Sequence, residues 1–110
     1  MIVLVCGGRD YHGDVSSVLD ALNPQPTLVI HGAAKGADRS AEDWALRRQI
    51  NYLGVPAKWK LYDKSAGPVR NSEMLKLGKP DLVIAFPGGK GTANMVKQAK
   101  VAGVEVREIS

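Results

Sequence analysis

From residue 85 to 95 the chain reads Ala-Phe-Pro-Gly-Gly-Lys-Gly-Thr-Ala-Asn-Met, an apolar run breaking into glycines before a helix-like stretch. Gly88, Gly89 and Gly91 carry no Cβ, so the backbone there can approach a ligand closely. The N–H groups that open a helix after Thr92 would supply donors and partial positive charge, which suits a phosphate. A tight strand-to-helix turn capped by Thr92 would use some of the same residues. Gly-Gly-x-Gly exceeds what a cap needs, so Pro87, Gly88, Gly89, Gly91 and Thr92 are expected to bind phosphate. The loop is not a Walker motif, because no Gly-Lys-Ser/Thr follows a four-residue spacer. It also departs from the dinucleotide fingerprint, with Asn94 where the third glycine belongs.

Three further segments have the same character. Gly7-Gly8-Arg9-Asp10-Tyr11 ends an apolar run; Arg9 could pair with a phosphate and Tyr11 could stack on a base. His31-Gly32-Ala33-Ala34-Lys35-Gly36-Ala37-Asp38 adds Gly32, Lys35, Gly36 and Asp38 to the candidate ligand-binding residues. Asp38 is read as a helix cap before a catalytic acid, His31 as a satisfied strand-end histidine, and Cys6 as a small buried hydrophobe. Ala66 to Met74 opens a helix with Pro68 at its first position. Arg70 and Glu73 share a face in its first turn, either as an ion pair or as a ligand clamp with a spare acid. Arg70 and Asn71 are assigned to the ligand. No His, Cys or carboxylate spacing suggests a metal.

The elements that must position these residues alternate strictly. Strands are predicted over Ile2–Cys6, Thr27–His31, Val55–Leu61, Leu82–Phe86 and Val104–Glu108. Helices are predicted over Val15–Leu22, Ala37–Leu53, Pro68–Leu77 and Thr92–Ala102. Alternation of this kind implies an α/β fold, a three-layer sandwich around a five-stranded, mainly parallel sheet with right-handed crossovers. Near-continuous Val/Ile/Leu strands suit burial on both faces. In the second helix Ala41, Trp44, Ala45, Arg48 and Leu53 fall near helical spacing, with Glu42 and Arg47 on the outer face. Gly54, Gly78 and Gly103 each follow a predicted helix and read as left-handed caps. Gly7, Gly8, Gly32, Gly36, Gly67, Gly88, Gly89 and Gly91 instead fall where strands hand over to helices. Those handovers share one edge of a parallel sheet. Arg9, Lys35, Arg39, Lys64, Arg70 and Lys90, six of the fifteen cations, lie there too. Glycine and positive charge at one end make an anion site.

The totals bound the rest. At 110 residues the chain fits one domain, residues 1–110. Its apolar runs are too short to span a membrane, and Met1 leads directly into a strand with no basic flank or cleavage site. One cysteine excludes an internal disulfide and fits a cytoplasmic location. A net charge of +4 favours anionic partners without specifying nucleic acid.

Read together, Gly7-Gly8-Arg9-Asp10, His31-Gly32 through Gly36-Ala37-Asp38, Ala66-Gly67-Pro68 with Arg70-Asn71 and Met74, and Pro80-Asp81 through Pro87-Gly88-Gly89-x-Gly91-Thr92 resemble the YspA/cpYpsA-related branch of the SLOG superfamily. The resemblance runs in order over essentially the whole chain. It implies a Rossmann-like fold that binds a nucleotide or nucleotide derivative, such as an ADP-ribose-type signal, at the PGGxGT loop, as a sensor, carrier or sequestering module. No cofactor is implied. The lonely-guy phosphoribohydrolases of the superfamily carry PGGxGTxxE, whose glutamate helps break the ribose–base bond. Here that position is Met95, which cannot stabilise an oxocarbenium-like centre or activate water. Catalysis would need a displaced acid: Glu73 first, then Asp10 or Asp38. Lonely-guy relatives dimerise through helices flanking the site, so a homodimer is expected. DNA binding in the manner of DprA is disfavoured, since two Trp, three Tyr and one Phe give little for a stacking platform.

Overall fold

A computed structural model describes residues 1–110. The strands are β1 (Ile2–Cys6), β2 (Leu28–His31), β3 (Asn51–Gly54), β4 (Leu82–Ala85) and β5 (Glu105–Glu108). They form one sheet in the order β3-β2-β1-β4-β5, and every pairing is parallel. The helices are α1 (Val15–Asp20), α2 (Ala37–Arg47), the single-turn α3 (Trp59–Tyr62), α4 (Ala66–Gly78) and α5 (Lys90–Val101), with a 3-10 turn at Asp63–Ser65.

The sheet is sandwiched, which explains its unbroken apolar centre. On one face Val3, Val5, Val29, Leu82 and Ile84 pack against α1 and α2 through Val15, Leu19, Ala41, Trp44 and Ala45. Trp44 is fully buried, and its indole N–H donates to Asp20 Oδ1 at 2.9 Å, satisfying its one polar atom. On the other face Leu4, Cys6, Ile30, Val83 and Ala85 meet Met74 of α4 and Met95 and Ala99 of α5. This is the expected three-layer Rossmann-like arrangement. After β3 the chain crosses back over β1 to place β4 and β5 on its far side. The strand order therefore reverses between β1 and β4, and the carboxyl ends of those two strands flank the crevice where such sheets take ligands. No helix is long and apolar enough to cross a membrane.

The third strand is where expectation and structure part. Residues 55–61, predicted as a strand, form a coil and then α3, while β3 comes from residues 51–54, predicted as the end of a helix. Helix α2 stops at Arg47 because Gln49 takes a left-handed φ of 57° and the Ile50 N–H turns back to the Ala45 carbonyl at 2.9 Å. The periodicity of Arg48 and Leu53 was fortuitous. Glu42 does not face outward; it bonds His31. Gly54 ends β3 and caps no helix, and after α4 the left-handed residue is Lys79 (φ 46°), with Gly78 one position earlier. Gly103, at φ 76°, is such a cap. Pro68 is the third residue of α4, still inside the first turn, where its missing N–H breaks no helical bond.

Candidate functional site

Three loops meet at the carboxyl edge of the sheet, and Gly8 joins them. Its N–H donates to the Pro87 carbonyl at 2.9 Å, and its carbonyl accepts from Ala37 at 3.3 Å and Tyr11 at 3.2 Å. The loops after β1, β2 and β4 are thus tied to one another. Four of the predicted ligand glycines owe their identity to this close packing. A Cβ on Gly7 would lie 2.5 Å from the Ala37 Cβ, and one on Gly8 would lie 3.0 Å from the Pro87 carbonyl oxygen. A Cβ on Gly36 would collide with the Gly8 and Arg9 carbonyls, and one on Gly88 with the Thr92 hydroxyl and the Gly8 nitrogen. Gly36 also has a φ of 76°.

Gly89 and Gly91 are different. A Cβ on either would meet nothing within 4 Å, and neither has a positive φ. The fold itself does not demand glycine at position 91, whereas Gly89 holds φ -96° and ψ -143°, a combination that other residues seldom adopt. Both sit at the start of α5, where Gly89 occupies the N-cap position and no side chain caps the helix. The first N–H to return into the turn is that of Ala93, donating to Gly89 at 3.1 Å. The N–H groups of Lys90, Gly91 and Thr92 therefore have no acceptor within the chain and point out of the helix end. Thr92 lies in the first turn, folded over Gly88, and is not the cap. Lys90 is exposed and forms no ion pair, as are Arg9 and Lys35 on neighbouring loops, so free positive charge surrounds the helix end.

Helix α4 braces this arrangement through two adjacent side chains. The Arg70 guanidinium donates from Nη1 to the Gly32 carbonyl at 2.5 Å and from Nε to Asn71 Oδ1 at 2.9 Å. Asn71 is buried, and its Nδ2 donates to the Gly91 carbonyl at 3.2 Å and to Asn94 Oδ1 at 3.1 Å. Gln98 completes the network, donating to Asn94 Oδ1 at 2.7 Å and to the Pro68 carbonyl at 3.1 Å. Both polar side-chain atoms of Asn71 thereby have partners in the chain, so it positions the loop. Arg70 also spends Nε and Nη1 on the chain, and it makes no ion pair with Glu73, whose carboxylate bonds no other side chain. Burial, and then the nearby Arg9, lower the Arg70 pKa. Asn94 and Gln98 escaped the sequence reading, although their i, i+4 spacing on α5 was the available signal.

The β2 loop is ordered by buried polar groups. Asp38, only 5% exposed, does not cap α2, since Gly36 holds that position; its Oδ2 accepts from Gly32 at 3.0 Å and Ala34 at 3.3 Å. Loss of hydration raises its pKa, against the lowering effect of those N–H groups. His31 Nδ1 accepts from the Ala33 N–H at 2.9 Å, so that nitrogen carries no proton and Nε2 donates to Glu42 at 2.9 Å. Both ring nitrogens are taken, as expected of a satisfied strand-end histidine. Ala33 is held at a φ of 57°, a conformation few side chains adopt. Beneath the loops burial pushes the Cys6 thiol up to about 12, so it behaves as a neutral apolar group. Tyr11 packs its ring on Phe86, centroids 5.3 Å apart, so that contact occupies part of the surface that would stack on a base. Met95 is fully buried among the apolar residues between α5 and the sheet. No group of three or more His, Cys, Asp or Glu side chains is arranged to hold a metal ion.

The sequence profile of the YspA, cpYpsA-related SLOG family matches residues 1–62, which include the glycine loops after β1 and β2. The chain belongs to this SLOG family. The Gene 61 protein of Mycobacterium phage D29 is 38% identical to it over 117 aligned residues, which cover 94% of this chain and 92% of the phage protein. The likeness to the phage protein therefore extends past the profile match into the α4 and α5 half that carries the uncapped helix. Two surface clefts lie apart from the SLOG loops. One runs between α4 and α5 beside Leu75 and Val101, and one lies against β5 beside Val18 and Ile109.

Proposed function

We propose that this SLOG protein binds a nucleotide or nucleotide-derived small molecule, such as a nucleoside phosphate or an ADP-ribose-type compound, as a sensor, carrier or sequestering module. Its phosphate is held by the N–H groups of Lys90, Gly91 and Thr92, with Lys90 and Arg9 adding charge. The observation that carries this reading is the pair Gly89 and Gly91, glycines with open space beside them at an uncapped helix start. A ligand is the reason for that space. Arg70 and Asn71 act by fixing the loop carbonyls, and Arg9 replaces Arg70 as the foremost cationic contact.

Binding is favoured over cleavage. Met95 packs into the apolar layer, so the position occupied by the lonely-guy glutamate supplies neither charge nor a proton acceptor. Glu73 makes no contact with the α5 loop that would put a carboxylate in its stead. Calorimetry with adenosine 5′-monophosphate and ADP-ribose, with the same mixtures assayed for free adenine, tests both halves. Binding without base release is expected. Release of base, lost in Glu73→Gln while binding persists, would make the protein an N-glycosidase.

A further inference from the structure

Asp38 and Arg70 flank Gly32 so closely that a Cβ there would lie 3.0 Å from Asp38 Oδ2 and would collide with Arg70 Nη1. Yet the two charges make no ion pair with each other. Each spends only part of its bonding capacity on the chain. Asp38 uses Oδ2 for two backbone N–H groups, and Arg70 uses Nη1 and Nε. Asp38 Oδ1 and Arg70 Nη2 have no partner in the chain, and neither is sealed from solvent, since no buried side-chain nitrogen or oxygen lacks a partner. An acceptor on a side chain 95% buried and a donor beside it are thus both open at the end of β2.

We infer that Asp38 and Arg70 together receive a sugar hydroxyl of the ligand, so that the site selects a ribose phosphate over a simple phosphate or a deoxy sugar. A purely anionic group would meet the Asp38 carboxylate, and a cationic one would meet Arg70 and, near it, Arg9. A hydroxyl donates to Oδ1 and accepts from Nη2 at once. The spacing agrees. β2 and β4 both neighbour β1, so their ends lie two strand spacings apart, about 10 Å. That is the reach of a 5′-phosphate and its sugar with a hydrogen bond at each end, and it is too short to bring a base to Asp38.

The inference rests on the nucleotide reading above, and one titration series separates the two. The native chain is titrated by calorimetry with adenosine 5′-monophosphate, its 2′,3′-dideoxy analogue and inosine 5′-monophosphate. The dideoxy compound is expected to bind at least tenfold more weakly than adenosine 5′-monophosphate, and the inosine compound within about threefold of it. Asp38→Asn, which can still accept from Gly32 and Ala34, should bring the first two affinities together; a conserved circular dichroism spectrum and melting curve would show that it folds. Equal affinity of the native chain for the ribose and dideoxy compounds overturns this inference and leaves the nucleotide reading standing. A strong preference between adenine and hypoxanthine overturns it too, by making the base the selected group. Failure of all three to bind overturns both.

Discussion

Replacing Gly91 by alanine should move stability and affinity in opposite directions. The residue is helical, in the first turn of α5, its φ is not positive, and an added Cβ meets nothing within 4 Å. The fold therefore has no objection to a methyl group. Alanine restricts the unfolded chain and favours the helix, a gain of about 0.5–1 kcal/mol that shrinks toward the lower figure near a helix end. For a domain of this size that is a rise in Tm of roughly 2–6 °C. The methyl group would occupy the space assigned to the phosphate. If it displaces one charge-assisted contact, the cost is about 1.5–3 kcal/mol, or roughly ten- to a hundredfold in Kd. Differential scanning calorimetry and titration with adenosine 5′-monophosphate read the two effects separately. Gly88→Ala is the contrast, because its Cβ would collide with Thr92 and Gly8, so it should lose stability as well as binding. A Gly91→Ala protein that melts higher yet binds as tightly as the native chain would refute the reasoning, since the open space would then serve no ligand.

Asn71→Ala should destabilise the chain by about 2–3 kcal/mol in urea denaturation, because it leaves Arg70 Nε without its acceptor and removes the buried link from α4 to Gly91 and Asn94. Met95→Glu should cost about 3–5 kcal/mol and release no base from adenosine 5′-monophosphate, since the carboxylate would enter an apolar layer with no partner. Cys6, with its thiol pushed up to about 12, has only about one part in ten thousand as thiolate at pH 8 and should resist a thiol reagent until urea unfolds the chain. The raised Asp38 pKa means that the folded state holds this proton more tightly than the unfolded state does. Its contribution to stability is full below the unfolded value of about 3.9 and is lost as pH rises through the folded value. Native stability measured against pH should therefore fall relative to Asp38→Asn from about pH 4 upward, and parallel curves would contradict the shift.

The sheet was readable because its central strands are buried on both faces and so consist of little but Val, Ile and Leu. The edge strand β3 was not, because Asn51, Tyr52 and Leu53 are exposed and carry no burial pattern. Its apparent substitute, Val55 to Leu61, alternates convincingly, yet Pro56 cannot donate to a ladder. The end of α2 was hidden for a related reason: Gln49, not glycine, adopts the left-handed turn. Within the site, sequence placed the glycines and cations at the correct edge. It could not distinguish glycines that let loops touch from those that leave room for a ligand, because that difference depends on what stands opposite each absent Cβ. The structural half of Arg70's role was hidden similarly, for the acceptor of its Nη1 is a carbonyl 38 residues away.

The junction at Gly8 also bears on how the protein is made. β1 emerges first, yet it ends at the middle of the sheet, and its Gly8 N–H waits for Pro87, while the Ile2 N–H waits for the Asp81 carboxylate 79 positions later. Contacts of such long sequence separation close slowly, after local helices have formed. On the ribosome, β1, β2 and β3 can associate as a half-sheet while one side of β1 remains an unpaired apolar edge. The site is then completed late, only once β4 and the start of α5 are in place. A chain halted before residue 82 would hold two of the three glycine loops and no uncapped helix to receive a phosphate. Ligand present during synthesis would bind only chains that have reached α5, and so would act late in folding.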